Sequence, residues 1–119
     1  RLVLCLGWLQ LVCIRWQNSF REKIRGENEM DSRPMELTDT IKMMESADYK
    51  ERFKAEYYQL AIRANKLAIM LEKWDQGGLS FTPTCPRSTY DLQLQGMYTY
   101  LAVLEARASM EGVILGDVK

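Results

Sequence analysis

The side chains best suited to chemistry lie along one edge of a segment running from Tyr49 to Lys66. Arg52, Glu56, Gln59, Arg63 and Lys66 recur there at three- and four-residue steps, with Tyr49 about a turn earlier and Tyr58 alongside. On a helix such steps place side chains on one side. Arginine and lysine there can grip phosphates, while tyrosines stack on a base or hydrogen-bond a sugar. The same edge also reads as a solvated face in which Arg52 and Glu56 pair at i,i+4 spacing. The loop Phe81-Thr-Pro-Thr-Cys-Pro86 is the second candidate. Its prolines stiffen it, the hydroxyls of Thr82 and Thr84 can contact a ligand, and the helix that follows offers free N–H groups to an anion. The plainer reading is that Phe81 plugs the end of a helical hairpin and the prolines fix the turn.

Catalytic chemistry finds little to work with. The 119 residues include no histidine and three cysteines, Cys5, Cys13 and Cys85, far apart and without a CxxC pair. The usual ligands of zinc sites and the usual acid–base residues are therefore missing. Cys85 has no histidine to activate it, although a helix N-terminus can lower a thiol pKa. Glu105 and Glu111 are not at ExxE spacing, and no phosphate-cradling glycine loop appears. The chain is predicted not to be an enzyme, with no catalytic residues, metal ligands or cofactor. Scattered cysteines in odd number do not make a disulfide framework, which fits a reducing cytoplasm. Sixteen basic residues balance 16 acidic ones, so the basic field of a DNA- or RNA-binding protein is lacking.

The first 29 residues read as an extension. An apolar run from Leu2 to Ile14 is followed by Arg15, Arg21, Lys23 and Arg25. The run is too short for a membrane span of roughly 20 residues and lacks the features of a cleavable signal, leaving a truncated signal anchor as one reading. The other is translation of upstream DNA: Arg25-Gly26-Glu27 is encodable by AGA-GGA-GAA, a purine-rich ribosome-binding sequence, and Met30 follows at a suitable distance. Met30 is then the predicted start, with Met35 second. Taking five basic and three acidic residues from 16 of each leaves 11 against 13. Residues 30–46 read as a linker and a short helix over Thr38–Glu45, with Thr38 or Asp39 as N-cap and Ile41 and Met44 as its apolar side.

Residues 47–115 carry the pattern of a helical hairpin, and 116–119 are a tail. Phe53, Tyr57, Leu60, Ala64, Leu67, Leu71 and Trp74 alternate steps of four and three, a heptad seam. Asp48 and Glu51 have capping-box spacing at its start, and Gly77-Gly78 mark its end. Tyr90, Leu94, Met97, Leu101, Leu104 and Ala108 repeat the seam in a second helix ending near Gly112. That helix begins at Pro86 or at Ser88, the latter paired with Asp91. The fold class is all-α: an antiparallel two-helix hairpin with a short N-terminal helix, assembling into an oligomeric bundle.

Oligomerisation is predicted because further apolar stripes remain. Ala55, Ile62 and Ile69, joined by Tyr58, lie away from the first seam, while a stripe of Gly96, Tyr100, Val103 and Met110 flanks the second, with Thr99 and Ala106 beside it, small residues that allow close helix approach. Two helices have too little interior to cover such surfaces, so a second copy is expected to. The single-chain alternative covers them with the short helix and Val113-Ile114-Leu115.

The stretches Asp48-Tyr-Lys-Glu-Arg-Phe-Lys-Ala-Glu-Tyr-Tyr-Gln-Leu60, Phe81-Thr-Pro-Thr-Cys-Pro86 and Gln95-Gly-Met-Tyr-Thr-Tyr-Leu-Ala-Val-Leu-Glu-Ala-Arg107 resemble a family of small phage and prophage proteins with related members in crAss-like phages, over roughly residues 47–115. The resemblance implies a phage origin. Small helical phage proteins of similar hairpin design include sponges that sequester host immune nucleotides, the cyclic dinucleotides of CBASS or the ADP-ribose derivatives of Thoeris; that link is one of architecture. The function expected is a cytoplasmic, non-enzymatic counter-defence sponge acting as a homo-oligomer, without membrane or nucleic-acid partners. Two alternatives stand beside it: an adaptor or inhibitor docking on a host protein through apolar helix faces, and a structural helical bundle.

Overall fold

The computed structural model describes residues 35–116. The run Leu2–Ile14 with its basic flank, Cys5, Cys13 and the proposed start at Met30 lie outside the described residues. Residues 36–113 form one compact unit. Among the described residues it is all-helical: a 3-10 turn Leu37–Thr40 runs into α1 (Ile41–Met44), followed by α2 (Tyr49–Asp75) and α3 (Arg87–Glu111).

Capping chemistry sets the helix limits. Asp48 is the N-cap of α2 and accepts from the Lys50 N–H at 3.0 Å, while its own N–H donates to Ser46 Oγ at 3.1 Å. At the other end Gly77 has φ +71°, and the N–H groups of Gly77 and Gly78 return to the carbonyls of Trp74 and Lys73 at 2.9 and 2.8 Å. This is the Schellman closure that a residue with positive φ permits. Helix α3 starts after Pro86, which is its N-cap, so the Ser88–Asp91 capping box does not form; Asp91 instead pairs with Arg87. It closes at Gly112, φ +67°, where the Val113 N–H returns to the Ala108 carbonyl at 2.9 Å and Val113 is buried.

The two seams meet. Phe53, Tyr57, Ala64 and Leu71 of α2 and Leu101, Leu104 and Ala108 of α3 are buried, while Leu60, Leu67, Trp74, Tyr90, Leu94 and Met97 are half-buried. The buried residues crowd toward the end holding the N-terminus of α2 and the C-terminus of α3. At the opposite end Trp74 and Tyr90 pack edge to face at 5.9 Å, and Arg87 grips Asp75 with two hydrogen bonds of 3.1 and 3.0 Å. Both interactions hold the ends of the long connection together.

The back of α2 is covered within the chain. Ala55, Tyr58, Ala61 and Ile62 are buried on the side of α2 that carries the short N-terminal helix. Thr40 anchors that helix. It is fully buried, donates to the Leu37 carbonyl at 2.7 Å and accepts from Gln59 Nε2 at 2.8 Å. The sequence expectation of an Ile41/Met44 face is corrected here, since both side chains are exposed. The cap is Glu36, in a reciprocal box with Asp39, so the helix starts earlier than Thr38. Its first turn is 3-10, and a β-branched hydroxyl bonded back to its own turn can be buried without leaving a polar group unmatched.

Candidate functional site

The ridge Arg63, Lys66, Met70, Lys73 descends the C-terminal half of α2 in steps of three, four and three, with Ile69 beside it. The Schellman turn at Gly77 and Gly78 folds the chain back against the last turns of that ridge. The result is an open groove of about 230 Å³ lined by Lys66, Ile69, Met70, Lys73 and residues 78–81. Ile69, Met70 and Leu79 supply its apolar side chains, Phe81 stands 55% exposed on the loop side, and two lysines seven residues apart supply positive charge. Lys66 Nζ is bonded to Glu36 Oε2 at 2.7 Å. Lys73 and Arg63 make no ion pair among the described residues, so both cations are available to an anion.

Aliphatic surface, one exposed ring and two ammonium groups suit a ligand with a flat apolar part and a negative charge. At about 230 Å³ the groove is smaller than the 300–1,000 Å³ typical of a small-molecule site. It accommodates part of a nucleotide rather than all of one.

Of the ligand-binding residues expected from sequence, only Lys66 lines this groove, with Arg63 a turn away. Tyr49 is roughly 25 Å along the helix axis from Lys66. Its hydroxyl donates to Glu111 Oε2 at 2.8 Å and accepts from Arg107 Nη2 at 2.7 Å. The Arg107 guanidinium in turn lies 5.0 Å from the Phe53 ring centroid. The Glu111 carboxyl is held below its ordinary range by the Tyr49 hydroxyl and by Arg107. Arg52 donates to the Ser46 and Ala47 carbonyls, each at 2.8 Å; Glu56 receives the Tyr100 hydroxyl rather than Arg52. Tyr58 is buried. These groups serve the fold: Tyr49 and Tyr100 tie α3 to α2, and Arg52 satisfies the chain that leads into α2.

Thr82 and Thr84 are exposed and stand outside the groove lining. Phe81 lines the groove instead of plugging the hairpin end, which Trp74 and Tyr90 close. Cys85 is a free, exposed thiol. The sequence reading missed Ile69 as a groove residue, Met70, Lys73, Gly78, Leu79 and Ser80, and read Phe81 as a plug. The seven-residue spacing of Lys66 and Lys73 was a usable signal, but the return of the loop was not.

The interface residues expected from sequence divide in two. Ala55, Tyr58 and Ile62 are buried within the chain and Ile69 lines the groove, whereas Tyr100, Val103 and Met110 are exposed on α3. Among the described residues no cluster of His, Cys, Asp or Glu could hold a metal ion, and no helix is long and apolar enough to cross a membrane.

A family model described as Sequestin matches residues 47–110. The match takes in α2, the connection with its groove wall, and nearly all of α3, and leaves out the short N-terminal helix. No curated protein and no solved structure matches the chain.

Proposed function

The chain belongs to the Sequestin family, and from that membership and the geometry of the groove we propose that it is a non-enzymatic protein that binds and sequesters a nucleotide-derived signal. The observation that carries the proposal is the groove itself, which Lys73 and Lys66 line together with Ile69, Met70, Leu79 and an exposed Phe81. The family's name supports sequestration. The ligand class follows from the groove: phosphates against the ammonium groups, continuing toward Arg63, and a base against Phe81. Cyclic dinucleotides and cyclic or conjugated ADP-ribose have both parts. Within this proposal the protein is a phage-encoded homo-oligomer working in the host cytoplasm against CBASS or Thoeris signalling. Sequestration needs tight binding without turnover, which asks for no catalytic residue.

A ligand screen by thermal shift tests the proposal, using cyclic dinucleotides, cyclic ADP-ribose isomers and amino-acid-conjugated ADP-ribose. The expected result is a rise in Tm with one class, lost in Lys73→Ala and Lys66→Ala, and release of intact nucleotide on denaturation. No shift with any of them, or release of a cleaved product, would overturn it. An adaptor that docks on a host protein is the second reading, favoured by exposed Val103 and Met110. It predicts a co-purified host protein that is lost in Val103→Glu and retained in Lys73→Ala.

A further inference from the structure

Arg52, Gln59, Lys66 and Lys73 stand seven residues apart on α2. Two helical turns separate neighbours, so the four form one row, with about 10 Å from each to the next. The first three all donate to the segment that precedes α2, in reverse chain order. Arg52 Nη1 donates to the Ser46 and Ala47 carbonyls, each at 2.8 Å. Gln59 Nε2 donates to Thr40 Oγ1 at 2.8 Å, and Lys66 Nζ to Glu36 Oε2 at 2.7 Å. Residues 36–47 are therefore a strap laid antiparallel along α2 and fastened at its root, middle and tip. The fourth donor, Lys73, has no carboxylate partner among the described residues and lines the groove together with Lys66.

The three fastenings differ in strength. At the root one guanidinium holds two backbone carbonyls, and in the middle Thr40 is fully buried. At the tip the Lys66 and Glu36 side chains keep 56% and 45% of their exposure, and an ion pair so open to water contributes little. Its carboxylate is nevertheless well placed. The Glu36 N–H donates to Asp39 Oδ2 at 2.9 Å and the Asp39 N–H returns to the Glu36 carbonyl at 3.0 Å, so Glu36 ends a formed 3-10 turn. The tip is the fastening that an incoming anion displaces most easily, and the cation it holds is a groove cation. The donor row and the groove lie inside the family match over residues 47–110, whereas every acceptor on the strap except the Ala47 carbonyl lies before it.

We infer that residues 36–47 are an autoinhibitory strap, in which the Glu36 carboxylate holds the Lys66 ammonium as an internal anion and a phosphate-bearing ligand must displace it, loosening the turn Leu37–Thr40. The inference rests on the groove being the ligand site, and it needs only the anionic part of the ligand. Linkage makes the effect reciprocal: whatever loosens the strap tightens anion binding by the factor with which the anion loosens the strap. The small worth of an exposed ion pair sets that factor at about two- to fivefold.

Inorganic pyrophosphate is the probe, added to the full chain with ionic strength held constant by sodium chloride. Amide chemical shifts of residues 78–81 report its binding, and hydrogen exchange reports the strap. In the wild type, pyrophosphate should quicken exchange over Leu37–Thr40 while Leu101 and Leu104 stay protected. Glu36→Gln and Thr40→Val should each tighten pyrophosphate binding by about two- to fivefold. The double variant should gain no more than the better single one, because both release the same carboxylate. Thr40 is not among the groove's lining residues, so a gain in Thr40→Val has to come through the strap. Exchange over Leu37–Thr40 that is unchanged or slowed as residues 78–81 shift would overturn the inference. So would Thr40→Val binding as the wild type does, additive gains in the double variant, or no shift at residues 78–81 in either the wild type or Glu36→Gln. A nucleotide that raises Tm without quickening exchange over Leu37–Thr40 would overturn the strap and leave the proposed function standing. Pyrophosphate acting as described while no nucleotide raises Tm would support the strap and overturn the nucleotide reading.

Discussion

The Tyr57 hydroxyl donates a 2.8 Å hydrogen bond to the Glu105 carboxylate across the seam between α2 and α3. It is one of three such rungs. Tyr49 reaches Glu111 nearer the open ends of the helices, and Tyr100 reaches back from α3 to Glu56. Apolar residues make the two helices adhere, and the rungs fix which residues face each other, because a slide by one turn would separate every tyrosine from its carboxylate. Tyr57 is the rung with most at stake, being 2% exposed.

Replacing Tyr57 by Phe removes the rung and keeps the ring. We expect a loss of about 1.5–3 kcal/mol, the range for a hydrogen bond to a charged group, read from urea unfolding. The pH dependence gives a second measure. Burial first, then the Glu105 carboxylate, holds the Tyr57 phenol above its ordinary 10.0. A folded-state pKa above the unfolded one means that the unfolded chain gives up its proton first as pH rises. Stability is then complete below about pH 10 and falls above it. Tyr57→Phe should flatten that alkaline fall, and an equally steep fall in the variant would show that Tyr57 is not its source.

Thr40 controls the short helix. Thr40→Val keeps the shape but leaves the Gln59 amide without its acceptor, and is expected to cost about 1–3 kcal/mol. The loss should be local: hydrogen exchange should quicken over Leu37–Met44 and along the covered face of α2 near Ile62, while Leu101 and Leu104 keep their protection. Uniform loss of protection would mean that the short helix and the hairpin unfold as one.

The hairpin was legible in the sequence because its seam is a repeat, and a repeat survives without knowledge of what it meets. All seven seam positions of α2 and all six of α3 are buried or half-buried. The cover over Ala55 and Ile62 stood in the sequence only as the alternative to a second copy, because what docks the short helix is a buried polar residue rather than an apolar stripe. Thr40 is buried only by bonding to Leu37 and Gln59, and no periodicity announces such a pair. The groove fell between these cases. Lys66 and Lys73 share a face by spacing alone, but Phe81 joins them only through the Schellman return at Gly77 and Gly78. Arg52 misled for a related reason: its i,i+4 partner was present, yet the two carbonyls before the helix are nearer and need donors.

Two glycines should respond in opposite ways to alanine. Gly77 has φ +71° with nothing within 4 Å of an added Cβ, so Gly77→Ala meets only backbone strain and should lose about 1 kcal/mol. Gly96 also has open space but lies in ordinary helix, so Gly96→Ala should gain about 0.5–1 kcal/mol in the stability of the single chain. Urea unfolding reads both changes. A loss in Gly96→Ala would mean that a contact absent from the single chain fills the space.

The groove's two kinds of contact should separate under salt. Lys73 has no carboxylate partner among the described residues, so its charge is available to a phosphate, and screening weakens such a pair as ionic strength rises. Lys66 must first give up Glu36, and Glu36→Gln should therefore tighten binding of an anionic ligand by freeing that ammonium and removing a nearby negative charge. Under the proposed function Phe81 acts through its ring. Its truncation in Phe81→Ala should weaken nucleotide binding by about 1–3 kcal/mol, the worth of one base stacked on an aromatic side chain, at low and high salt alike. Because Phe81 is 55% exposed, its loss should scarcely move the unliganded Tm. Titration calorimetry at two salt concentrations distinguishes the roles: Lys73→Ala should abolish most of the salt dependence, and Phe81→Ala should preserve it. If both variants bind as the wild type does, the ligand sits elsewhere on the chain, and the exposed Arg63 is the next residue to replace.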